Sequence, residues 1–420
     1  MRRKRVIALT ALIVVFGFLL VSCKKELSEE AVKARARRIH EGVLTLDTHC
    51  DTPSRLLNPS WDMGVRHEPG ERGSGKIDLP RMAEGGLDAA FFAVFYGQEE
   101  RTPEGYARAR ERALREIDAL DKMFEKYPDL AGKATSPGDA YWLEKEGKRA
   151  IFIGMENGYQ VGKDLSLLEE YYKRGVRYVT LCHTRDNDIC DSSTDEKNPE
   201  DKGLSDFGRQ VVAECNRLGV IVDVSHISDK SFYNALKVTK APVIASHSSA
   251  RALCDSPRNL SDDMLKALAS NGGVIQVCIL SSYLKEPAPN PERDKALEEI
   301  REKYGTYQGQ RDEALREKMW QEYRAINEKY PEERATVKNA VDHIDHVVKV
   351  IGIDHVGIGT DFDGGGGIKG CDEVSELPHI TEELVRRGYS EGEIRKIWGG
   401  NFMRVFRKVI GVSRKIKSSK

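Results

Sequence analysis

The chain lacks an excess charge of either sign and lacks cysteines at zinc-finger spacing. Its 66 basic and 67 acidic residues leave a formal net charge of -1 at pH 7, so no field of one sign surrounds the protein and nucleic-acid binding is not expected. None of the 8 cysteines forms a CxxC pair, which leaves a zinc ribbon unsupported. Hydrophobic residues fill 40% of the 420 positions, which is enough for one large core.

A long apolar run occurs at the N-terminus, where VIALTALIVVFGFLLV follows the basic sequence MRRKR. This run is shorter than the roughly 20 apolar residues of a spanning helix, and its pattern is typical of a signal peptide. The sequence LVSC at residues 20–23 resembles a bacterial lipobox, which implies cleavage before Cys23. We therefore expect residues 1–22 to be a lipoprotein signal peptide. Acyl chains on Cys23 would anchor the protein in the bacterial cell envelope, outside the cytoplasm; an uncleaved short anchor is the alternative.

An exported chain can form disulfides, but the number of cysteines that can pair is limited here. If Cys23 is acylated, an odd number of cysteines remains, so they cannot all pair. Cys182, Cys215 and Cys278 lie within apolar patterns and are predicted to be small buried residues. Cys190 could form a bridge with another loop cysteine, and the sequence leaves that open.

Eight runs rich in β-branched and aromatic residues are followed by turn or helix signals, which is typical of strands. They are VLTLDTH (from Val43), AAFFAVF (from Ala89), RAIFIGMEN (from Arg149), RYVTLCH (from Arg177), VIVDVSH (from Val220), PVIASHS (from Pro242), GVIQVCIL (from Gly273) and VGIGTDFD (from Val356). Amphipathic stretches such as FGRQVVAECNRLG separate most of them, and this alternation implies parallel pairing. The sequence therefore predicts a (β/α)8 barrel, with catalytic groups at the carboxyl ends of its strands.

The barrel is expected to span residues 43–420, preceded by a lipidated tether and a leading helix at 23–42. A densely charged segment at about 283–336 follows the seventh run and predicts a helical insertion on the active-site side. We favour a solvated helical excursion, with a lid or partner-binding surface as the alternative. After the eighth run, GGNFMRVFRKVIG predicts a final amphipathic helix and SRKIKSSK a frayed end.

Histidines and acids close most of these runs. They are His49, Asp51, Glu156, His183, His226, His247 and Asp361. One such residue alone is more often a hydrogen-bonded structural group. Because the strand ends of a barrel meet at one mouth, the whole set indicates an active site.

The spacing of these residues favours metal binding. His49 and Asp51 are two apart on a strand, so their side chains share one side while Cys50 faces away. His226 and His247 end neighbouring strands, which places their imidazoles roughly 5 Å apart. A bridging carboxylate from a third strand would hold two ions roughly 3.5 to 4 Å apart, as in two-metal hydrolases. This donor set suits zinc best, although manganese or cobalt could occupy the same site.

Together the motifs resemble the membrane dipeptidases, or renal dipeptidases, a zinc peptidase family (M19) with amidohydrolase-like barrels. The resemblance covers about residues 44 to 410, and the lipobox is that of a bacterial lipoprotein member. It rests on LDTHCD, GMENG, LCHTRDN, VDVSH, SHSSARALCDSPRNLSDD, GIGTDFDG and GGNFMRVF, in the family's order. Each motif alone is modest evidence, whereas the ordered set is highly specific.

The resemblance implies a site for two zinc ions per chain. His49 and Asp51 would hold the first zinc, and His226 and His247 the second. Glu156 would bridge them, with a catalytic hydroxide between the ions. The resemblance also implies a homodimer, since a dimer is usual in such enzymes.

The resemblance also implies roles toward a dipeptide substrate. His183 would stabilise the oxyanion, Asp361 would contact the water and pass its proton to the leaving amine, and Arg258 would bind the substrate's terminal carboxylate. A D-residue at the second position would be tolerated. The alternative for Arg258 is a surface ion pair with Asp255 or Asp262, and Asp363 is predicted to be a turn residue.

Other functions are compatible with the same motifs. A lactonase or deaminase of the amidohydrolase type could use the same metals. A non-catalytic surface scaffold could keep the barrel, because fold alone does not establish activity. The intact set of five ligands, together with Asp361 and Arg258, argues against the scaffold.

Overall fold

The structure is a computed structural model that describes residues 28–197, 200–305 and 313–419. The predicted signal peptide at 1–22 and the predicted acylation site Cys23 lie outside the described residues. Within the described ranges, no helix combines the length and the apolar character that crossing a membrane requires.

The described residues form one parallel sheet of nine strands. The strands are β1 (Leu46–Cys50), β2 (Ala89–Phe95), β3 (Ala131–Lys133), β4 (Arg149–Glu156), β5 (Val176–Thr180), β6 (Ile221–Asp223), β7 (Ile244–Ser248), β8 (Val274–Cys278) and β9 (Val356–Gly359). They pair in the order β1-β2-β4-β5-β6-β7-β8-β9, and β3 pairs with β4 outside this path. The predicted runs thus supply the eight strands of the main path, and the short sequence AGK of β3 was not predicted because it contains no β-branched or aromatic residue.

Backbone hydrogen bonds beyond the end of β9 bring the sheet back to β1. The amide of Asp361 donates to the carbonyl of His49 over 3.0 Å, and the amide of Asp51 donates to the carbonyl of Phe362 over 2.9 Å. Cys50 and Phe362 also form a parallel bridge. The predicted (β/α)8 barrel is confirmed.

Helices surround the barrel and connect its strands. They are α1 (Glu29–Glu41), α2 (Leu79–Glu84), α3 (Pro103–Lys126), α4 (Pro137–Lys145), α5 (Ser166–Arg174), α6 (Asp206–Leu218), α7 (Asp229–Val238), α8 (Asp262–Asn271), α9 (Ser281–Leu284), α10 (Pro291–Tyr304), α11 (Glu313–Lys329), α12 (Val337–Ile351), α13 (Pro378–Arg386), α14 (Glu391–Arg395) and α15 (Asn401–Ser418). Serine caps begin α6, α7 and α8, where Ser205, Ser228 and Ser261 accept backbone N–H groups that the helix start leaves open.

Aromatic side chains fill the barrel interior at the end opposite the mouth. Phe91 stacks on Phe152 with ring centroids 4.7 Å apart, and Phe402 of α15 packs on Phe91 at 5.0 Å. The prediction of a frayed end was wrong, because α15 continues to Ser418. Ser413, the first residue of that segment, is buried and donates to the carbonyl of Arg217 over 2.7 Å, so a tertiary contact holds the helix where the segment begins.

The predicted charged insertion follows β8 and is helical in its described parts. It comprises α9, α10 and α11 and ends where Thr336 and Asn339 form the capping box of α12. Helices α10 and α11 pack on each other, and Ile300 and Met319 are buried. An ion pair of 2.8 Å between Arg72 and Glu317 connects α11 to the loop after β1. The insertion is therefore tied to the loop that begins at Asp51.

His343 on α12 joins the loop after β7 to the start of the insertion. The amide of Ala250 donates to Nδ1 of His343 over 3.0 Å, and Nε2 lies 3.1 Å from the carbonyl of Leu284. Because Nδ1 accepts, the imidazole is neutral and Nε2 carries its proton. Burial lowers the pKa of His343 to about 4, so the structure retains this neutral form well below neutral pH.

We predict that His343 makes the folded state less stable in acid. The unfolded chain binds the proton near the ordinary pKa of 6.5, and the folded chain only near 4. Stability is therefore lost as the pH falls from 6.5 toward 4, by roughly 3 kcal/mol in total. Urea unfolding at pH 7.5 and pH 5 should show a larger loss of unfolding free energy for wild type than for His343→Gln. The other titrating groups are common to both proteins, so the difference reports on His343. Equal losses in the two proteins would contradict the prediction.

Candidate metal centre

The predicted site residues meet at the mouth of the barrel. Strands β1, β4 and β7 carry His49, Glu156 and His247, while the remaining members lie one to three residues beyond a strand end. These are Asp51, His183, His226 and Asp361. Because all the strands are parallel, these positions share one rim. The side chain of His183 is 22% exposed, whereas the other six residues are buried. His183 is therefore the member that faces the open side.

Glu156 lies at the centre of this cluster. Its Oε1 is 3.0 Å from Nε2 of His226, 3.4 Å from Nε2 of His247 and 3.7 Å from Nε2 of His183. Its Oε2 is 3.6 Å from Nε2 of His49. One carboxylate thus reaches imidazoles on both sides of the site, which is the geometry that a bridging ligand requires.

The strand β1 half of the site has the arrangement that strand alternation predicts. Nε2 of His49 lies 3.6 Å from Oδ2 of Asp51. Between them, the thiol of Cys50 is buried and donates to the carbonyl of Phe91 over 3.4 Å, so it points away from the site. All seven cysteines of the described residues are free thiols and buried, so the bridge considered for Cys190 is not formed.

The donor atoms fit metal ions. Nε2 of His49 and Oδ1 of Asp51 are buried and have no hydrogen-bond partner within the described residues. Nε2 of His226 and Nε2 of His247 are 2.8 Å apart and both face Glu156. Buried nitrogen and carboxylate atoms that converge in this way are stabilised by a cation. Nitrogen and carboxylate donors of this kind suit zinc.

Among the described residues, three overlapping triads could each hold an ion, with all donor atoms of a triad within 4.8 Å of one another. They are His49, Asp51 and Glu156; Glu156, His183 and His226; and His49, His247 and Asp361. Glu156 belongs to two triads and His49 to two. The geometry brings His183 and Asp361 as close to possible ion positions as the predicted ligands, and distance alone does not separate ligand from catalyst.

Three carboxyl groups share this buried space and repel one another. Burial, and next the charge of Asp51, raise the pKa of Asp361 well above its usual range. Burial and the charge of Glu156 raise the pKa of Asp51 to about 6. Burial would also raise the pKa of Glu156, but His49, His183 and the other imidazoles hold that pKa well below its usual range. Burial lowers the pKa of His183. A bound cation would relieve the repulsion among the acids.

Unusual backbone conformations aim several of these side chains. His226 (φ 69°) and Asp361 (φ 59°) are in the left-handed region, as are Asn157 (φ 73°), which follows Glu156, and Asp363 (φ 66°). Each such residue costs about 1 to 3 kcal/mol and is typical of functional sites. The turn after Asp361 needs glycine, since a Cβ on Gly366 would lie 1.9 Å from a backbone oxygen. This conformation could not be read from the sequence.

Arg258 lies at the edge of the metal centre. It is 4% exposed, and its Nη2 donates to the carbonyl of His247 over 3.2 Å. The surface ion pair considered for it is therefore wrong, and Asp262 instead lies 2.7 Å from Nε2 of His346. The guanidinium is 5.3 Å from the ring centre of Tyr283, a cation–π contact. Tyr283 was not predicted as a site residue, because it begins the insertion, where no strand pattern points to the site.

Asp363 is a structural residue of the turn after Asp361. Its carboxylate accepts from Thr52 Oγ1 over 2.8 Å and from the amide of Lys76 over 2.9 Å, and it pairs with Arg55 Nε at 2.8 Å. These bonds hold the loop after β1 against the turn. Asp363 thus connects the turn to the loop after β1, and its carboxylate bonds to none of the seven site residues.

The family model, the related sequences and the solved structure that match this chain are all described as dipeptidases. The family model described as membrane dipeptidase (peptidase family M19) matches residues 33–420. Dipeptidase tcpJ of Claviceps purpurea is 34% identical over 365 residues, covering 85% of this chain and 75% of that protein. Dipeptidase ataJ of Aspergillus terreus is 30% identical over 413 residues, covering 92% and 90%. The crystal structure of the probable dipeptidase PvdM from Pseudomonas aeruginosa aligns with a TM-score of 0.75 at 34% identity, covering 91% of this chain and 99% of that one.

Proposed function

The chain belongs to the membrane dipeptidase family of metallopeptidases (family M19), and we propose that it is a dinuclear zinc dipeptidase. Its substrates would be dipeptides with a free C-terminal carboxylate, including those with a D-residue at the second position. The observation that carries the proposal is the position of Glu156, whose two oxygens face His49 on one side and His226 and His247 on the other. Export and anchoring in the bacterial cell envelope through acylated Cys23, and a homodimer, are part of the same proposal.

The ligand set divides into two halves around Glu156. His49 and Asp51 would hold one zinc, and His226 and His247 the other. When bound, zinc supplies Lewis acidity for the scissile carbonyl and lowers the pKa of a water. The burial of these ligands excludes bulk water, which strengthens each electrostatic interaction within the site.

Two further residues would act on the substrate. Asp361 lies beside His49 and His247, so its carboxylate can take a proton from the attacking water and deliver it to the leaving amine. His183 is the more exposed imidazole, with Nε2 3.7 Å from Glu156. From there it can stabilise the negative charge that develops on the carbonyl oxygen.

We predict that Arg258→Lys raises KM for dipeptides by roughly 10- to 100-fold, with a smaller effect on kcat. A guanidinium binds a carboxylate through two parallel hydrogen bonds, and lysine keeps the charge without this fork; hydrogen bonds to charged groups contribute about 1.5 to 3 kcal/mol. Steady-state kinetics on one dipeptide and on its C-terminal amide check this, since the amide lacks the carboxylate and should show no difference between the proteins.

The matched control for Arg258 is Arg251→Lys. Arg251 is in the same loop but pairs with Asp229 at 2.7 Å on the protein surface, so its replacement should leave KM unchanged. An unchanged KM in Arg258→Lys, or an equal rise in both variants, would contradict the assigned role.

The substrate class is tested by a panel of dipeptides that vary in chirality at the second residue, together with esters and lactones. We expect hydrolysis of both Gly-L-Ala and Gly-D-Ala, and loss of both activities with a chelator. Cleavage of lactones without cleavage of any dipeptide would favour the alternative amidohydrolase activity. Failure of only the D-containing substrates would restrict the proposal to L-dipeptides.

A further inference from the structure

We propose that Asp223, acting through Ser246, is a positioning residue that fixes which nitrogen of His247 binds metal. The inference rests on the proposed function, because it concerns the orientation of a proposed zinc ligand. Asp223 is the last residue of β6, and Ser246 lies on the neighbouring strand β7, directly before His247. All three side chains are buried.

Four hydrogen bonds hold the carboxylate of Asp223. Its Oδ1 accepts from the amides of Ser225 and Ser246 over 3.1 and 2.9 Å. Its Oδ2 accepts from Thr180 Oγ1 over 2.5 Å and from Ser246 Oγ over 2.7 Å. Each of its two oxygens thus accepts two hydrogen bonds, and all four donors are protein groups. Because both oxygens act as acceptors in this arrangement, the hydroxyl proton of Ser246 points toward Asp223.

This assignment determines the tautomer of His247. Oγ of Ser246 lies 2.8 Å from Nδ1 of His247. Because the one hydroxyl proton is used on Asp223, the serine oxygen must accept, and Nδ1 of His247 carries the proton. In a neutral imidazole the other nitrogen, Nε2, then has the free lone pair. That atom lies 3.4 Å from Oε1 of Glu156 and 2.8 Å from Nε2 of His226, at the proposed metal position.

The other proposed imidazole ligands are held differently. Nδ1 of His49 lies 2.8 Å from the hydroxyl of Tyr178, which is a neutral partner. Nδ1 of His226 is buried and has no hydrogen-bond partner in the part of the chain that the structure describes. Of the three, only His247 is connected to a carboxylate through its second nitrogen. Partners of this kind orient a metal-binding histidine and increase its basicity, so the relay should affect the zinc at His226 and His247 selectively.

Ser246→Ala tests the relay, since it removes the hydroxyl and keeps Cβ. Wild-type and variant proteins are loaded with zinc and titrated with a competing chelator. We expect one of the two zinc equivalents to bind roughly 10- to 100-fold more weakly in the variant, and the other to bind as in wild type. The unfolding midpoint of the metal-free proteins is measured in parallel, and a purely structural role would change that midpoint without separating the two zinc affinities.

A second variant and a control complete the experiment. Asp223→Asn can offer an N–H to Ser246, which turns the hydroxyl proton toward His247 and moves the imidazole proton to Nε2; we expect the same selective loss. The double variant Ser246→Ala and Asp223→Asn should bind zinc about as tightly as Ser246→Ala alone, because both substitutions act through the same hydrogen-bond path. Ser248→Ala is the matched control: Ser248 lies on the same strand, and its buried hydroxyl has no hydrogen-bond partner within the described residues.

Wild-type affinity for both zinc equivalents in Ser246→Ala and Asp223→Asn would overturn the relay alone and leave the proposed function intact. The relay would also be overturned if Ser248→Ala weakened zinc binding as much as Ser246→Ala does. A wild-type protein that binds no zinc would overturn the proposed function, and the relay with it.

Discussion

Asp361→Asn is expected to lower kcat for dipeptide hydrolysis by roughly a hundredfold to ten-thousandfold, the range for loss of a general acid-base group. Asparagine has the size and shape of aspartate but cannot take up and release the proton. It also tolerates the left-handed backbone that residue 361 adopts. The fold and the turn should therefore persist, and the loss should be confined to chemistry.

The measurement for this variant is kcat together with zinc content. We expect the zinc content of wild type. Asp363→Asn is the control, since it is in the same turn with the same backbone conformation but bonds to the loop after β1; it should keep most of kcat. Wild-type kcat in Asp361→Asn would show that Asp361 does not transfer the proton. Loss of zinc from it would make Asp361 a ligand instead.

Glu156→Gln is expected to lose zinc and to lower kcat by on the order of a thousandfold or more. The neutral amide keeps one oxygen, so it cannot serve imidazoles on both sides as the carboxylate does. The substitution also removes the negative charge that would compensate the two zinc ions. Metal-ion catalysis contributes several kcal/mol to the transition state, and about 1.4 kcal/mol corresponds to each tenfold in rate.

Zinc content by elemental analysis and dipeptide kinetics check this variant. Glu116→Gln is a suitable comparison, because Glu116 is also buried, and burial raises its pKa to about 7. Its carboxyl group accepts from the amide of Phe95 and from Arg112, and neither partner is a proposed zinc ligand. Glu116→Gln should retain the zinc of wild type. Two tightly bound zinc ions in Glu156→Gln would mean that Glu156 does not bridge them.

The barrel and the residues at its mouth could be predicted from the sequence, because both depend on short-range patterns. Buried parallel strands are continuous apolar runs, and residues that end them must meet at one rim. The expected separation of the imidazoles of His226 and His247 agrees with the ring centroid distance of 4.9 Å. The position of Cys50, facing away from the site, also follows from strand alternation.

The partners of the site residues could not be predicted, because they depend on contacts between segments that are distant in the chain. Asp223 and Tyr178 lie within apolar runs and look like core residues until the neighbouring strand brings Ser246 and His49 against them. The left-handed backbone of His226 and Asp361 has no local signal, since neither residue is glycine. Strand β6 ends at Asp223, three residues before His226, so the imidazole is aimed by a turn and not by the strand.

The most direct test of the account is the zinc content of the wild-type protein, measured together with its dipeptidase activity before and after a chelator. We expect two zinc equivalents per chain, loss of hydrolysis when they are removed, and recovery when zinc is restored. A folded protein that hydrolyses dipeptides at the same rate without metal, or one that binds no zinc at all, would contradict it.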